Sequence, residues 1–375
     1  MIYWIYQLLE EQYESLVRVF SYVSSRAFGA ALTAFLLTVV SGNFVIRKLF
    51  LLKIGQPIRE AVEVHQLHEL HGKKEGTPTM GGLLILGAVI VSTLLWARWD
   101  NGFVWLCLGV TLYLGILGFV DDFTKVRARK SAGISAWMKI GAQAILAVGV
   151  TSYLMLVRHP DAVEEGMMSR LYLPFVSVEV SHLHMQLGLL VVFLFAGVIV
   201  GCSNAVNLTD GLDGLAIGCT ITTAATFALL NYVAGRPDYS SYLFIPHHPW
   251  ANEITIFCLA IAGAGLGFLW FNCYPARVFM GDTGSLAIGG MLGAAAICCK
   301  QELLLIIVGG VFVIEAVSVI LQVGSFKLTG RRIFRMSPIH HHFELKGWPE
   351  TRVIVRFWIL SMICAGIGLA SLKLR

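Results

Sequence analysis

Ten long apolar stretches, separated by polar connections, constrain the fold of this chain more than any other feature of its sequence. Most of them approach the roughly 20 residues that an α-helix needs to cross a bilayer. Only 14% of the 375 residues are charged, and the mean hydropathy of +0.74 excludes an ordinary soluble protein. We therefore predict an all-α polytopic integral membrane protein that forms one domain over residues 1–375. The stretches are 27–46, 80–97, 103–120, 136–156, 188–206, 215–233, 254–271, 286–299, 302–322 and 355–371.

Lysines and arginines are distributed unevenly between alternate connections. Because positively charged loops stay on the cytoplasmic side of a membrane, the richer set predicts the cytoplasmic loops and places both termini outside. In the outer connection 157–187, apolar and polar residues alternate over 171–180, which predicts a short β-hairpin on that face. Most of the 28 lysines and arginines lie in the odd-numbered connections, 47–79, 121–139, 207–213, 272–285 and 323–356.

The eight cysteines lie mostly inside the apolar stretches. None forms a CxxC pair, so the sequence indicates neither a zinc site nor a disulfide framework. We interpret these cysteines as small buried apolar residues. The net charge of +5 is modest, and no nucleic-acid partner is predicted.

The connection from Asn207 to Gly214 is unusually acidic for a short link between two membrane spans. It contains Asp210 and Asp213, and positions 207, 210 and 213 would share one face if the preceding helix continued. Carboxylates at the edge of the hydrocarbon are energetically costly and are typical of functional sites. The alternatives are a solvated turn or a helix cap formed by Asn or Asp.

Two adjacent carboxylates, Asp121 and Asp122, follow the third stretch. On a helix, Lys125 would be the i,i+4 partner of Asp121. Lys139, just inside the next span, is long enough to extend back toward the same place. Paired acids at a membrane edge favour metal binding or acid–base chemistry, and a surface ion pair that caps the span is the alternative.

Two glycine-containing loops fall on the same predicted face. Lys73 and Lys74 precede the segment 76–82, which leads into a predicted helix. Lysines together with free backbone N–H groups at the start of a helix are suited to bind an anion. The alternative for this loop is an ordinary positively charged connection that leads into a helix cap. In the connection 272–285, glycines near Asp282 allow close approach of a ligand to the backbone, and a tight turn is the alternative.

Three consecutive histidines, His340, His341 and His342, lie in the fifth predicted cytoplasmic loop. They cannot all bind one metal ion from a regular helix. Contact with a phosphate or sugar, weak metal binding and a solvated tract are the alternatives. Glu315 lies inside the ninth stretch, where the sequence is equally compatible with a structural and a functional role.

These clusters share one predicted membrane face, on which five aspartates lie beside several lysines. Oxygen-rich acidic clusters suit Mg²⁺, which is usually held by one or two carboxylates together with substrate phosphates. The lysines and arginines would then suit a diphosphate. We predict an enzyme of phosphoryl transfer at the inner membrane face, in which positioned charges and Mg²⁺ stabilise the leaving phosphate.

The sequence carries five distinctive motifs, at 76–82, 121–122, 207–214, 281–284 and 340–342. At these motifs it resembles the bacterial phospho-N-acetylmuramoyl-pentapeptide-transferases, a family of polyprenyl-phosphate N-acetylhexosamine-1-phosphate transferases, and the resemblance covers essentially the whole chain. It implies Mg²⁺-dependent transfer of phospho-MurNAc-pentapeptide from UDP-MurNAc-pentapeptide to undecaprenyl phosphate, which gives lipid I and UMP. This reaction is the first membrane step of peptidoglycan synthesis. The resemblance also implies a homodimer embedded in the lipid of the bacterial inner membrane.

Roles for individual residues follow from the same resemblance. Asp282 would be a Mg²⁺ ligand, and Asp121 and Asp122 would lie at the catalytic centre. Asp121 would be the base that deprotonates the lipid phosphate or, in a two-step reaction, a carboxylate nucleophile, and both assignments stay open. Lys125 and Lys139 would contact the diphosphate or position the nucleophile. The implied substrate-binding residues are Lys74, Thr79, Asn207, Asp210, Gly211, Leu212, Asp213, Asn272, Phe279, His340, His341 and His342.

Two other functions are weighed against this one. The sister enzyme that transfers GlcNAc-1-phosphate to undecaprenyl phosphate shares the aspartate motifs in kind, whereas the histidine tract and the segment 76–82 favour the muramoyl enzyme. A secondary transporter of phosphorylated solutes would place ionisable residues near the bilayer midplane and would show inverted repeats. Here the acidic residues cluster at one predicted face.

Overall fold

Ten long helices form the body of the protein in the part of the chain that the structure describes. The computed structural model describes residues 1–7, 18–51, 76–128, 133–157, 159–160, 163–180 and 183–374. A helix covers most of each predicted apolar stretch, which confirms the all-α membrane architecture. The helices are α1 (Val23–Leu51), α2 (Gly82–Trp96), α3 (Gly102–Ala128), α4 (Ala136–Leu156), α5 (Val191–Thr209), α6 (Leu215–Ala234), α7 (Ala251–Asn272), α8 (Gly281–Cys298), α9 (Gly310–Thr329) and α10 (Glu350–Ala370).

Within the described ranges, eight helices are long and apolar enough to cross a membrane. The other two are α2, with 15 residues, and α8, with 18. The prediction of one continuous span over 302–322 is wrong at its start. The helix breaks at Gly309 into a short piece, Leu304–Val308, and α9. Two adjacent glycines, Gly309 and Gly310, weaken the helix at this point because glycine is a poor helix former.

Helix α8 is the centre of the bundle. From Thr283 to Cys298 every residue is buried, and α3 and α5 pack along its sides. Small residues allow this close approach, as in other membrane helix pairs. A methyl group added at Gly289 would collide with the backbone of α5 at Cys202 and Ser203. One turn of α3 is equally close, since a methyl group at Gly118 would collide with the carbonyl oxygen of Asp282.

The loops 157–187, 235–250 and 299–303 lie at one end of the bundle, opposite the aspartate motifs. The predicted β-hairpin is present, but its strands are only β1 (Arg170–Leu171) and β2 (Met185–Gln186). The strands are shorter than the alternating segment 171–180, because the chain turns at Pro174 and at Phe175, whose φ is +63°. Proline has no N–H for a strand ladder.

Buried ion pairs stabilise this opposite end. Arg26 of α1 forms a bidentate pair with Glu253 of α7, with N–O distances of 2.7 and 2.6 Å. Lys300 lies 2.6 Å from Glu302, and both side chains are fully buried. Five of the eight free cysteines are buried as predicted, whereas Cys273 is exposed, so the expectation is wrong for that residue.

Candidate active site

Three aspartates converge at the end of the bundle that carries the sequence motifs. Asp121 and Asp122 lie in the last two turns of α3, and Asp282 is the second residue of α8. One carboxylate oxygen from each lies within 4.8 Å of the others. No other cluster of acidic, histidine or cysteine side chains within the described residues has this geometry. The close contact of Gly118 with α8 brings the two helices together here.

Two lysines lie between the carboxylates of Asp121 and Asp282. The Lys125 ammonium is 2.6 Å from Asp121 Oδ2 and donates to Asp282 Oδ2 at 3.0 Å. Lys139 of α4 donates to the same Asp282 oxygen at 2.6 Å and is 2.9 Å from Asp121 Oδ2. Both sequence predictions, the i,i+4 contact of Lys125 and the backward reach of Lys139, are confirmed. The ammonium groups compensate carboxylates that would otherwise be buried without a counter-charge.

Asp122 caps the first turn of α8. Its carboxylate accepts hydrogen bonds from the backbone N–H of Asp282 at 3.1 Å, and from the N–H and hydroxyl of Thr283 at 2.9 and 2.8 Å. An anion at a helix N-terminus satisfies free N–H groups and interacts favourably with the helix dipole. Asp122 therefore fixes the position of Asp282, a contribution that the sequence did not reveal.

A layer of amide and hydroxyl side chains lies beneath the charged groups. Asn207 donates to Asp282 Oδ1 and to Ser285 Oγ, each at 2.8 Å. One turn farther into the bundle, Gln143 donates to Ser203 Oγ at 2.9 Å and accepts from Asn204 at 2.8 Å. Lys139 lies one turn before Gln143 on α4, and Asn207 lies one turn after Ser203 on α5. The Gln143 contacts therefore fix the relative position of α4 and α5 next to the site.

We expect Gln143→Leu to lower turnover about tenfold, because a small displacement of Lys139 is amplified at the reacting groups. It should also reduce the free energy of unfolding by about 1–3 kcal/mol, since Ser203 and Asn204 lose buried partners. Turnover and thermal unfolding of the purified protein in detergent measure both effects. Thr151→Val is the matched control on α4, since among the described residues the Thr151 hydroxyl bonds only to Ala147 O of its own helix. Equal effects of the two substitutions would contradict the positioning role of Gln143.

The connection between α5 and α6 is attached to the connection between α7 and α8. Asp213 accepts from the backbone N–H of Ala276 at 2.9 Å, and Asn272 accepts from the N–H of Gly214 at 3.0 Å. The Asn272 amide also donates to the carbonyl oxygen of Val278 at 2.8 Å. Asp213 and Asn272 are buried, so in this structure they hold the two loops together. Their predicted contact with substrate stays a prediction.

Asp210 lies just after α5, at the edge of the charged cluster. Loss of hydration, together with the nearby carboxylates of Asp282 and Asp122, raises the pKa of Asp210 to about 8. The raised pKa favours the protonated carboxyl, which can donate a hydrogen bond. The neighbouring Gly211 is exposed and Leu212 is buried.

The segment that precedes α2 pairs with the segment that precedes α8. Phe279 N–H donates to Pro78 O, and Gly81 N–H donates to Phe279 O, each at 2.8 Å. This pairing leaves the Phe279 ring half-exposed beside the charged cluster and buries Thr79. Lys74 lies outside the described residues, so its predicted role is not addressed.

Each histidine of the 340–342 tract has a different partner. His340 is buried against Glu315 of α9, His341 Nδ1 is 2.7 Å from Glu344 Oε2, and His342 Nδ1 accepts from the backbone N–H of Arg335 at 3.0 Å. The rings of His340 and His341 also pack against each other on the short helix Ile339–Glu344, with 4.1 Å between their centroids.

The carboxylate cluster fits a Mg²⁺ ion by its donor chemistry. It offers only oxygen ligands, which Mg²⁺ prefers. The facing Oδ2 atoms of Asp121 and Asp282 are contacted by lysine ammoniums, which shows that positive charge is stable at this place. Both oxygens of Asp122 accept hydrogen bonds from the start of α8. Asp282 and Asp121 are therefore the better candidates for direct contact with a cation.

Known proteins are similar to this chain in sequence. A family model described as Glycosyl transferase family 4 matches residues 104–300. A signature of phospho-N-acetylmuramoyl-pentapeptide-transferases matches residues 74–86. The chain is 54% identical, over 363 residues, to the phospho-N-acetylmuramoyl-pentapeptide-transferase of Methylacidiphilum infernorum (isolate V4), a match that covers 97% of each chain. The chain belongs to the phospho-N-acetylmuramoyl-pentapeptide-transferase family.

The family assignment agrees with the resemblance recognised in the sequence. The signature covers the loop that pairs with Phe279, and the longer match covers the helices that carry Asp121, Asn207 and Asp282. Membership in this transferase family also disfavours the transporter alternative. The sequence did not reveal the contacts of Gln143 with Ser203 and Asn204, because these partners are distant in the chain. A polar side chain inside an apolar stretch was the one available signal.

Proposed function

We propose that this chain transfers phospho-MurNAc-pentapeptide from UDP-MurNAc-pentapeptide to undecaprenyl phosphate, which yields lipid I and UMP in peptidoglycan synthesis. The observation that carries the proposal is the convergence of Asp121, Asp122 and Asp282 with Lys125 and Lys139 at one end of a membrane bundle of this family. Two partly buried ammonium groups beside three carboxylates suit a diphosphate together with a divalent cation.

The reaction forms one P–O bond and breaks another. An oxygen of the lipid phosphate bonds to the phosphorus that carries the sugar, and the diphosphate bond breaks, so that UMP leaves with the bridging oxygen. If the lipid phosphate is protonated, Asp121 is placed to accept its proton. The ammonium groups of Lys125 and Lys139 can stabilise the negative charge that develops on the diphosphate oxygens. The attack of an Asp121 carboxylate in a two-step reaction stays an alternative.

Mg²⁺ is the cofactor that the carboxylates suit, with Asp282 as its principal ligand. When bound, it would neutralise phosphate charge and act as a Lewis acid. The Asn207 amide donates a hydrogen bond to Asp282 Oδ1, and the Asp122 carboxylate accepts one from the backbone N–H of Asp282. Together these contacts keep the Asp282 carboxylate in place for a substrate that arrives with its own negative charges.

The nucleoside is proposed to lie between the Asn207–Gly214 loop and Phe279. The half-exposed ring of Phe279 offers a face on which uracil can stack. The raised pKa of Asp210 favours a protonated carboxyl, which would donate a hydrogen bond to a base or ribose oxygen. His341 and His342, which are partly exposed, are proposed to contact the sugar or peptide. The buried His340 has a different role, argued below.

Orientation and assembly belong to the same proposal. We place the aspartate end of the bundle at the cytoplasmic face of the bacterial inner membrane, since most lysines and arginines lie in the loops at that end. Both termini then lie outside. The homodimer implied by the resemblance is also part of the proposal, and cross-linking in membranes tests it.

Release of UMP tests the choice of substrate. The purified chain in detergent is supplied with Mg²⁺, undecaprenyl phosphate and either UDP-MurNAc-pentapeptide or UDP-GlcNAc. We expect UMP only from the muramoyl substrate, and no release after addition of EDTA. Release only from UDP-GlcNAc would move the chain to the sister activity. Release from neither substrate, in folded protein, would refute the transferase proposal.

A further inference from the structure

Glu315 is a carboxylate in the interior of α9, far along the chain from the aspartate motifs. Its side chain is fully buried, and burial of a carboxylate without a partner is energetically costly. Its Oε1 lies 3.1 Å from His340 Nδ1. Neither side-chain oxygen has a hydrogen-bond partner within the described residues. Among the described residues, His340 is the titratable side chain that faces this carboxylate.

His340 lies between Glu315 and the acidic loop. Its side chain is also fully buried, with Nδ1 toward the carboxylate. The opposite ring nitrogen, Nε2, faces Gly211, where an added methyl group would collide with Nε2 and Cε1. Neither ring nitrogen forms a hydrogen bond within the described residues, so the Glu315 contact is a close approach of the two groups at 3.1 Å. The His340 imidazole thus lies between the Glu315 carboxylate, inside the membrane bundle, and the Asn207–Gly214 loop.

The contact at Gly211 is adjacent to residues that organise the nucleotide pocket. Asp210 precedes Gly211, and Asp213 holds the loop to the backbone of Ala276. A displaced His340 ring would either push on this loop or leave space beneath it. By contrast, no contact joins His340 to the Asp121–Asp282 carboxylates among the described residues. The expected effect is on substrate binding and not on the chemical step.

We propose that Glu315 is a positioning residue that acts through His340 on the Asn207–Gly214 loop and thereby sets the affinity for the nucleotide-sugar substrate. This inference rests on the proposed function. It assigns the first histidine of the tract a buried supporting role, distinct from that of His341 and His342. It also gives a reason for glycine at position 211, since any side chain there would displace the imidazole.

Steady-state kinetics of Glu315→Gln test the proposal. Glutamine keeps the shape of the side chain and removes its charge. We expect KM for UDP-MurNAc-pentapeptide to rise about tenfold, which is typical for substitution of a residue that supports a binding group. The value of kcat should change less than about threefold. Glu302→Gln is the matched control, because it also converts a fully buried carboxylate to an amide, at the opposite end of the bundle. Its KM should stay at the wild-type value.

Two further variants separate positioning from loss of folding. His340→Asn removes the connecting ring, and Gly211→Ala pushes on it from the loop side, so each should also raise KM. The double variant Glu315→Gln/His340→Asn should show no larger rise in KM than the worse single variant, because both changes break one connection. If Glu315→Gln does not fold, His340→Asn and Gly211→Ala must still raise KM, and an unchanged KM in both would overturn the proposal.

The outcomes separate this inference from the proposed function. A normal KM for folded Glu315→Gln, or effects that multiply in the double variant, would overturn the inference while the wild-type enzyme still forms lipid I. An inactive wild-type chain would refute the proposed function and this inference with it. A raised KM shared by Glu302→Gln would also overturn it, since the effect would then follow from any buried charge.

Discussion

Asp282→Asn is expected to lower turnover by roughly 10³-fold, because an electrostatic group aimed at the reacting phosphate is lost. The substitution keeps the size of the side chain but removes the negative charge that Lys125 and Lys139 contact at 3.0 and 2.6 Å. A neutral amide is also a weaker ligand for Mg²⁺. The fold should persist, since Asp122 still holds the start of α8 through the backbone.

The measurement is UMP release at increasing Mg²⁺ concentrations, with thermal unfolding measured on the same samples. Asp100→Asn is the matched control, because Asp100 pairs with Arg98 at the opposite end of the bundle and is exposed. Its turnover and Mg²⁺ dependence should equal those of the wild type. If Asp282→Asn has a normal rate and a normal Mg²⁺ dependence, Asp282 does not belong to the reaction centre.

Asp121→Asn should lower turnover by about 10²–10⁴-fold, the range typical for loss of a general base. Asp121 is completely buried and contacts both lysines, while the backbone N–H of Ile134 donates to its other oxygen at 2.8 Å. Asparagine can still accept from Ile134, so the loop should keep its position. The amide cannot accept a proton from the lipid phosphate and cannot form a covalent intermediate.

Asp121→Asn should therefore lose turnover while it keeps its affinity for UDP-MurNAc-pentapeptide. Calorimetric titration with UDP-MurNAc-pentapeptide, in the absence of undecaprenyl phosphate, should give a Kd within about threefold of the wild type. A near-normal rate would exclude Asp121 both as base and as nucleophile. An equal loss of binding and turnover would instead indicate that Asp121 holds the substrate and performs no chemistry.

The positions of the helices were predictable from the sequence because each apolar stretch carries its own signal. Where the prediction failed, the cause was local backbone chemistry, such as the Gly309–Gly310 break before α9 and the turn at Pro174. Apolar composition reports where a chain is buried in lipid, and it is less sensitive to where a helix begins. For the same reason, α9 extends to Thr329, beyond the apolar stretch that ends at 322.

The charged members of the site were also predictable. Asp121 and Lys125 are helical neighbours by sequence spacing alone, and a lysine just inside a span is expected to extend toward the membrane surface. The supporting contacts were not predictable, because each joins residues that are far apart in the chain. Asp122 caps a helix that begins 159 positions later, at Gly281, and Glu315 pairs with a histidine in the next loop. Spacing rules carry no information about such contacts.

Electron paramagnetic resonance of Mn²⁺, used in place of Mg²⁺, tests the central claim most directly. That claim is that Asp282 holds the cation at the diphosphate of the substrate. In the wild-type chain with UDP-MurNAc-pentapeptide and without undecaprenyl phosphate, we predict one tightly bound Mn²⁺ per chain and a hyperfine coupling to phosphorus. Asp282→Asn should abolish both signals. Unchanged Mn²⁺ binding in Asp282→Asn, or bound Mn²⁺ without phosphorus coupling in the wild type, would contradict the account.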